Sequence, residues 1–210
     1  MKKIKNIVFD LGNVLLDLNF SHTEEAFREL LQEDFEEAYL AYEAAQLFER
    51  LEIGKISPFE FVNGMRAATE VPLTDDDIID AWNAILQGIS KERLQWLKNL
   101  KADYKIYLLS NTNAIHILWL DEYLQDTHQQ NLANFLDLFD AHFLSFQLKM
   151  RKPDTSIFQH VLSETGIKAA ETLFIDDRQD NVATAAGLGF QTYQHAPSKE
   201  IIETFSDFIG

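Results

Sequence analysis

The feature that most constrains this chain is a short apolar run that recurs, each time closing on a polar side chain capable of chemistry. Asn6 to Asp10 reads N-I-V-F-D and passes into Gly12-Asn13. A brief apolar run ended by a carboxylate and a glycine turn is how a strand buried on both faces enters a loop. Lys105 to Asn111 (K-I-Y-L-L-S-N), Ala141 to Phe146 (A-H-F-L-S-F) and Thr172 to Asp177 (T-L-F-I-D-D) repeat the pattern, and Phe190 to Gln194 is a candidate fifth strand. Helical sequence lies between these runs. Asp154 to Thr165 puts Ile157, Phe158, Val161 and Leu162 on one face, and Asp180 to Leu188 is rich in alanine. Strands alternating with helices predict an α/β fold, a parallel sheet covered by helices on both sides.

The stretch between the first two runs has a different character. It shows no convincing strand, and Ser21-His22-Thr23-Glu24 and Ser57-Pro58-Phe59-Glu60 both match the capping box, the second with proline at the first helical position. Further helices are expected over Thr74 to Leu86 and Ser90 to Leu100. Residues 18–88 therefore read as a helical insertion, leaving 1–17 and 89–210 to form the α/β core. At 210 residues the chain has room for both.

Charge and composition exclude several classes of function. The chain carries 18 basic and 34 acidic side chains, a formal net charge of −16, so nucleic acid is not an expected partner. It contains no cysteine, which removes disulfides, thiolate metal sites and cysteine nucleophiles and fits a cytoplasmic location. The basic start, Met1 to Lys5, leads into an apolar run broken by Asp10 and Asp17 and reads as a strand, not a signal peptide. No apolar stretch approaches the roughly 20 residues of a membrane helix, so no membrane partner is expected.

In a parallel α/β sheet ligands gather at the carboxyl ends of the strands. The polar residues there are Asp10, Ser110 and Asn111, Lys152, and the pair Asp176 and Asp177. Each alone has an ordinary explanation as a turn, cap or solvated loop residue. Adjacent carboxylates after an apolar strand, however, repel unless a cation or donor relieves them. Together the set supplies the parts of phosphoryl transfer: a carboxylate nucleophile, a hydroxyl and amide for phosphate oxygens, a fixed cation, and hard oxygen ligands for magnesium.

The order aspartate, serine, lysine-proline, paired aspartate resembles the four motifs of the haloacid dehalogenase superfamily, across essentially the whole chain. F-D-L-G-N-V-L at Phe9 to Leu15 with R-K-P-D at Arg151 to Asp154 is most similar to its sugar-phosphate phosphatase branch, such as bacterial α-glucose-1-phosphate phosphatases. The resemblance implies a Rossmann-like parallel-sheet core with an inserted small helical cap. It implies a Mg2+-dependent hydrolase of a small phosphorylated metabolite, working as a monomer or weak homodimer through an aspartyl phosphate on Asp10. Ser110, Asn111 and Lys152 would bind the phosphoryl group, and Asp10, the carbonyl of Gly12, Asp176 and Asp177 would hold the metal.

One position departs from the family pattern. The usual first motif has a second aspartate, two residues after the nucleophile, that protonates the leaving group; here Gly12 stands there. General acid assistance is worth about 10²- to 10⁴-fold, which leaves room for an active enzyme that prefers good leaving groups or takes its acid from elsewhere. Three other readings compete. A true dehalogenase also lacks that aspartate but has no need of the metal pair. A phosphorylation-switched receiver carries its acidic pair at the first strand. A non-catalytic regulator or scaffold would retain the fold alone. His116, Trp119, His128, Phe20 and His22 are further candidates for the substrate pocket, whereas Gly187-Leu188-Gly189 follows a helix and reads as its end.

Overall fold

The computed structural model describes residues 3–209. Met1 and Lys2 of the basic start, and Gly210 at the end of the expected core, lie outside the described residues. The chain opens with β1 (Asn6–Phe9) and β2 (Asp17–Leu18), then runs through α1 (Phe20–Leu31), α2 (Phe35–Ala44), α3 (Leu47–Glu52), α4 (Pro58–Arg66) and α5 (Asp75–Asn83). It returns by β3 (Leu86–Gly88) to α6 (Lys91–Leu100), β4 (Lys105–Ser110), α7 (Ala114–His128), α8 (Leu132–Leu136), β5 (Ala141–Leu144) and α9 (Ser145–Leu148). The last part is α10 (Thr155–Thr165), β6 (Thr172–Asp176), α11 (Gln179–Gly187), β7 (Gln191–Gln194) and α12 (Ile201–Ile209).

Five strands form a parallel sheet in the order β5-β4-β1-β6-β7. Strand β1 sits in the middle because all four of its residues are buried and neither face can turn to water. Alternate side chains serve opposite faces. Ile7, Phe9, Ile106, Leu108, Leu173 and Ile175 enter one apolar cluster, while Val8, Tyr107, Leu109, Phe143 and Phe174 enter another on the far side. The register pairs Phe9 with Leu108 on one side and with Ile175 on the other. The chain segments leaving β1, β4 and β6 therefore emerge side by side, which brings Asp10, Ser110 and Asp176 to one edge.

The inserted helices carry their own apolar cluster, including Phe27, Leu31, Phe35, Tyr42, Leu51, Phe61, Met65 and Ile78. The starts of α1, α4 and α5 are fixed by side-chain caps. Ser57 and Glu60 form the expected reciprocal box with Pro58 in the first turn, and Thr74 forms another with Asp77. At the first helix the outcome differs from expectation: Asn19, not Ser21, is the cap, its Oδ1 accepting from the Ser21 amide at 3.2 Å and the Ser21 hydroxyl at 2.9 Å. Helix α1 thus begins at Phe20, and Ser21 lies inside its first turn.

The insertion also contains strands where none was expected. β2 and β3 pair antiparallel, with Asp17 opposite Gly88 and Leu18 opposite Leu86, so the chain leaves the sheet and returns to it through one ribbon. This pairing takes Leu86 into a strand, and the helix expected to run to that residue stops at Asn83. Gly88 adopts a φ of 113°, and a Cβ there would lie 2.3 Å from the hydroxyl of Tyr123, so a side chain has neither the backbone nor the space. β5 is shorter than the run to Phe146, because Ser145 opens α9. The end of α11 is as read: Gly187 closes the helix and Gly189 takes a φ of 90°. No helix among the described residues is long and apolar enough to cross a membrane.

Candidate active site

Lys152 is the centre around which the polar strand ends assemble. Its side chain is 1% exposed, and its Nζ lies 2.8 Å from Asp10 Oδ1 and 2.6 Å from Asp176 Oδ2. An ammonium removed from water to this degree is tolerated only when its charge and donors are answered. Asp176 is fully buried and answers more than the lysine: it accepts from the Asn181 side chain at 2.9 and 3.0 Å and from the Arg178 amide at 2.9 Å. Asp10 accepts from the Leu11 amide at 2.7 Å. Asp177 accepts from Asn13 Nδ2 at 3.0 Å, and Asn13 reaches it from a left-handed turn with φ of 56°.

One carboxylate oxygen from each of Asp10, Asp176 and Asp177 lies within 4.8 Å of the others. Three carboxylates share one lysine, so the cluster is left two negative charges over when all are ionised. The Asp10 carboxyl is raised to about 7: burial lifts it most, Lys152 works against that, and the carboxylates of Asp176 and Asp177 add to the rise. Burial works to lower the Lys152 ammonium, but Asp10 and Asp176 more than offset it and the net direction is upward. The arrangement has the donor chemistry of a hard divalent cation site, with oxygen ligands and a charge excess that such an ion would cancel.

The loop after β4 supports this centre. The Asn111 side chain donates to the Lys152 carbonyl and accepts from the Lys152 amide, both at 2.9 Å. Ser110 is 1% exposed, and among the described residues its hydroxyl makes only a long 3.4 Å contact, to the Asn111 carbonyl, which leaves it able to turn toward another acceptor. Thr112 is tied to Ser145, whose hydroxyl accepts from the Thr112 amide at 2.9 Å.

Above these groups opens a cavity of about 560 Å³ whose lining includes Asp10, Gly12, Asn111, Lys152 and Asp177. A Cβ at Gly12 would approach Leu18 Cδ1 to 2.7 Å, so a larger residue there would require the tip of the Leu18 side chain to shift. The inserted helices supply Phe20, Phe48, Glu49, Glu52 and Trp82 to the same lining. His116 also faces it, stacked on Trp82 with ring centroids 5.1 Å apart and its Nε2 3.4 Å from the Trp82 carbonyl. Burial drives the His116 imidazole down to about 4, the Trp82 carbonyl opposing weakly.

Of the pocket residues singled out from sequence, Phe20 and His116 are brought to the cavity and three are placed elsewhere. Trp119 stacks on Tyr123 at 5.1 Å, His128 bonds the Ile89 carbonyl at 2.8 Å, and His22 is exposed on α1. Asn13, Glu49, Glu52, Trp82, Arg151, Arg178 and Asn181 line the cavity without having been expected there. Asn13 and Arg151 stand inside the quoted motifs and were within reach of motif reading. Nothing in the sequence marks Glu52 or Trp82, because their place depends on how the inserted helices dock.

Over 193 residues the chain is 32% identical to the D-ribitol-5-phosphate phosphatase of Bacteroides thetaiotaomicron, covering 91% of each protein. It superposes with a TM-score of 0.85 on the crystal structure of the HAD family enzyme bt-2542 from the same organism in complex with magnesium and inorganic phosphate, at 34% identity and over 96% of this chain and 99% of that one. The structure of a predicted HAD-like family hydrolase from Porphyromonas gingivalis gives a TM-score of 0.86 at 34% identity, covering 99% of this chain and 98% of the other. The haloacid dehalogenase-like hydrolase model matches residues 4–189, and the chain belongs to that hydrolase family.

Proposed function

We propose that this protein is a magnesium-dependent phosphatase of a small sugar or polyol phosphate, with Asp10 as its nucleophile. The observation that carries the reading is the group of Asp10, Lys152 and Asp177 at the floor of a cavity large enough for a small metabolite, with Asp176 buried behind them against Lys152. It is supported by relatives that include a D-ribitol-5-phosphate phosphatase and a structure holding magnesium and phosphate.

In this reading Asp10 attacks phosphorus and becomes an aspartyl phosphate, which water then hydrolyses. Lys152, whose Nζ already touches Asp10, holds the attacking carboxylate in place and offsets charge that develops on the phosphoryl oxygens. The Ser110 hydroxyl, whose acceptor among the described residues is the Asn111 carbonyl at 3.4 Å, donates to one of those oxygens. Asn111 completes the phosphoryl-binding turn while its side chain fixes the backbone of Lys152. Asp10, Asp177, the Gly12 carbonyl and Asp176, directly or through water, would hold the magnesium ion, which when bound draws charge from the phosphoryl oxygens. The core comprises 1–17 and 89–210, and the helical segment 18–88 is the cap that shields the site from bulk water.

The test is release of inorganic phosphate from a panel of sugar phosphates, polyol phosphates, p-nitrophenyl phosphate and acetyl phosphate, with magnesium or with EDTA. Turnover that requires magnesium and disappears in Asp10→Asn supports the reading. Absence of turnover on every ester would move the protein to a regulatory or scaffolding role.

A further inference from the structure

Part of the cavity lining has no task in phosphoryl transfer. Glu52, at the end of α3, places Oε2 3.0 Å from Arg151 Nη2, and Glu49 one turn earlier places Oε1 3.7 Å from Nη1. All three side chains line the same cavity as Asp10. Burial pushes the Glu52 carboxyl upward, with Arg151 opposing.

The position of Glu52 is fixed by the backbone as well. The hydroxyl oxygen of buried Ser145 lies 2.6 Å from the Glu52 carbonyl and 2.9 Å from that of Thr112, tying the end of α3 to the loop beyond β4. Two residues on, Gly54 has a φ of 61°, and a Cβ there would come within 2.2 Å of the Phe146 carbonyl oxygen. A carboxylate on so closely docked a segment is preorganised, so a ligand contact made to it loses little to ordering.

Charge complementarity narrows what this wall accepts. Among the described residues that line the cavity, each lysine and arginine already faces carboxylates: Lys152 has Asp10 and Asp176, Arg151 has Glu52 and Glu49, and Arg178 has Asp180 at 2.8 Å. Away from the catalytic cluster the lining carries Glu49 and Glu52 against Arg151 and Arg178, and with Asp180, which pairs Arg178 from outside the lining, the carboxylates number three to two guanidiniums. Carboxylates accept hydrogen bonds strongly from hydroxyls and repel other anions. A second part of the lining is aromatic, with Phe48 stacked on Trp82 at 5.0 Å and Trp82 on His116, a surface suited to the C–H side of a carbon chain.

We propose that Glu52, held by Arg151, is the specificity-determining residue of this cavity. It accepts hydrogen bonds from the hydroxyls of a neutral polyol or sugar chain, and with Glu49 it turns away phosphate esters that carry a second anionic group. The inference rests on the phosphatase reading above and adds which esters the site selects.

The experiment compares kcat/KM for D-ribitol 5-phosphate, D-ribonate 5-phosphate and p-nitrophenyl phosphate in magnesium, for the wild type, Glu52→Gln and Glu49→Gln. The first two esters differ in whether the chain ends in a neutral alcohol or a carboxylate. The wild type is expected to favour the ribitol ester over the ribonate ester by about 100-fold or more, because the second carboxylate would be set against like charges. Glu52→Gln should lower the ribitol ester at least about tenfold relative to p-nitrophenyl phosphate, a loss typical of a charged hydrogen bond. Glu49→Gln, at a half-exposed position that tolerates change, should narrow the gap between the ribitol and ribonate esters. The proposal is overturned if the wild type hydrolyses those two esters equally, or if Glu52→Gln scales all three substrates by one factor. Should Glu52→Gln not fold, the wild-type ratio and Glu49→Gln still decide. Failure of the phosphatase reading looks different, since the wild type then releases phosphate from none of the three.

Discussion

Asn111 grips the backbone of Lys152 from both sides, its amide nitrogen on the lysine carbonyl and its amide oxygen on the lysine N–H, each at 2.9 Å. The two residues are far apart in sequence, and the clamp sets where the lysine backbone starts and so where its Nζ ends. Asn111→Ala removes both bonds without touching the ammonium. Supporting partners of this kind are worth about 10- to 100-fold in activity, and a fall of kcat in that range is expected. Steady-state kinetics checks it, and an unchanged kcat would show that the lysine needs no such support.

Lys152 itself is, among the described residues, the ammonium that faces the three-carboxylate cluster, against Asp10 and Asp176. Replacing it by methionine keeps much of the volume and strands Asp10 and Asp176 without their counter-charge. Breaking a buried pair in this way costs about 3–5 kcal/mol. Urea unfolding of Lys152→Met in EDTA should show a loss of that size, partly recovered on adding magnesium because a ligand bound only by the folded state stabilises it. Equal midpoints for the variant and the wild type would contradict the electrostatic picture.

His116 gives a pH signature. Its folded pKa is lowered from 6.5 to about 4 by burial, so the folded protein binds fewer protons than the unfolded chain between those values. Stability from the neutral ring is fully present above about pH 6.5 and is lost as pH falls through about 4. The imidazole resonances of His116, assigned with His116→Gln, should therefore have a midpoint near 4 by NMR. A midpoint at the ordinary histidine value would show that the ring is open to water.

Gly12 leaves the first loop without a carboxylic acid at the position from which relatives of the usual pattern assist the leaving group. Leu18 occupies the adjoining space, 2.7 Å from where a Cβ at residue 12 would sit. With that acid missing, log kcat/KM for a series of aryl phosphates should fall steeply as the leaving-group pKa rises. A flat series would mean that another residue delivers the proton.

The sequence was most readable where one strand determines a residue's surroundings. Asp10, Ser110 and Asp176 close apolar runs, and burial of those runs in a central sheet forces the three strand ends together. The β2–β3 ribbon was not visible, because strands of two and three residues are too short to show a period. Asn19 displaced Ser21 as a cap although only the serine matched the four-residue pattern; a cap needs extended backbone at its own position, and that is set by the ribbon Asn19 follows. Glu52 and Trp82 were out of reach for a different reason. Each is one among many acidic or apolar residues in the inserted helices, and only the docking of those helices beside Lys152 gives them a part in the cavity.

The central claim is that Asp10 carries the phosphoryl group during turnover. It is tested most directly by acid-quenching the enzyme while it hydrolyses p-nitrophenyl phosphate in magnesium and mapping the modified peptide by mass spectrometry. The account predicts one phosphoryl group on Asp10, absent when EDTA replaces magnesium and absent in Asp10→Asn, which should also release no phosphate. Phosphate release by Asp10→Asn at the wild-type rate, with no phosphorylated aspartate trapped in either protein, would contradict it.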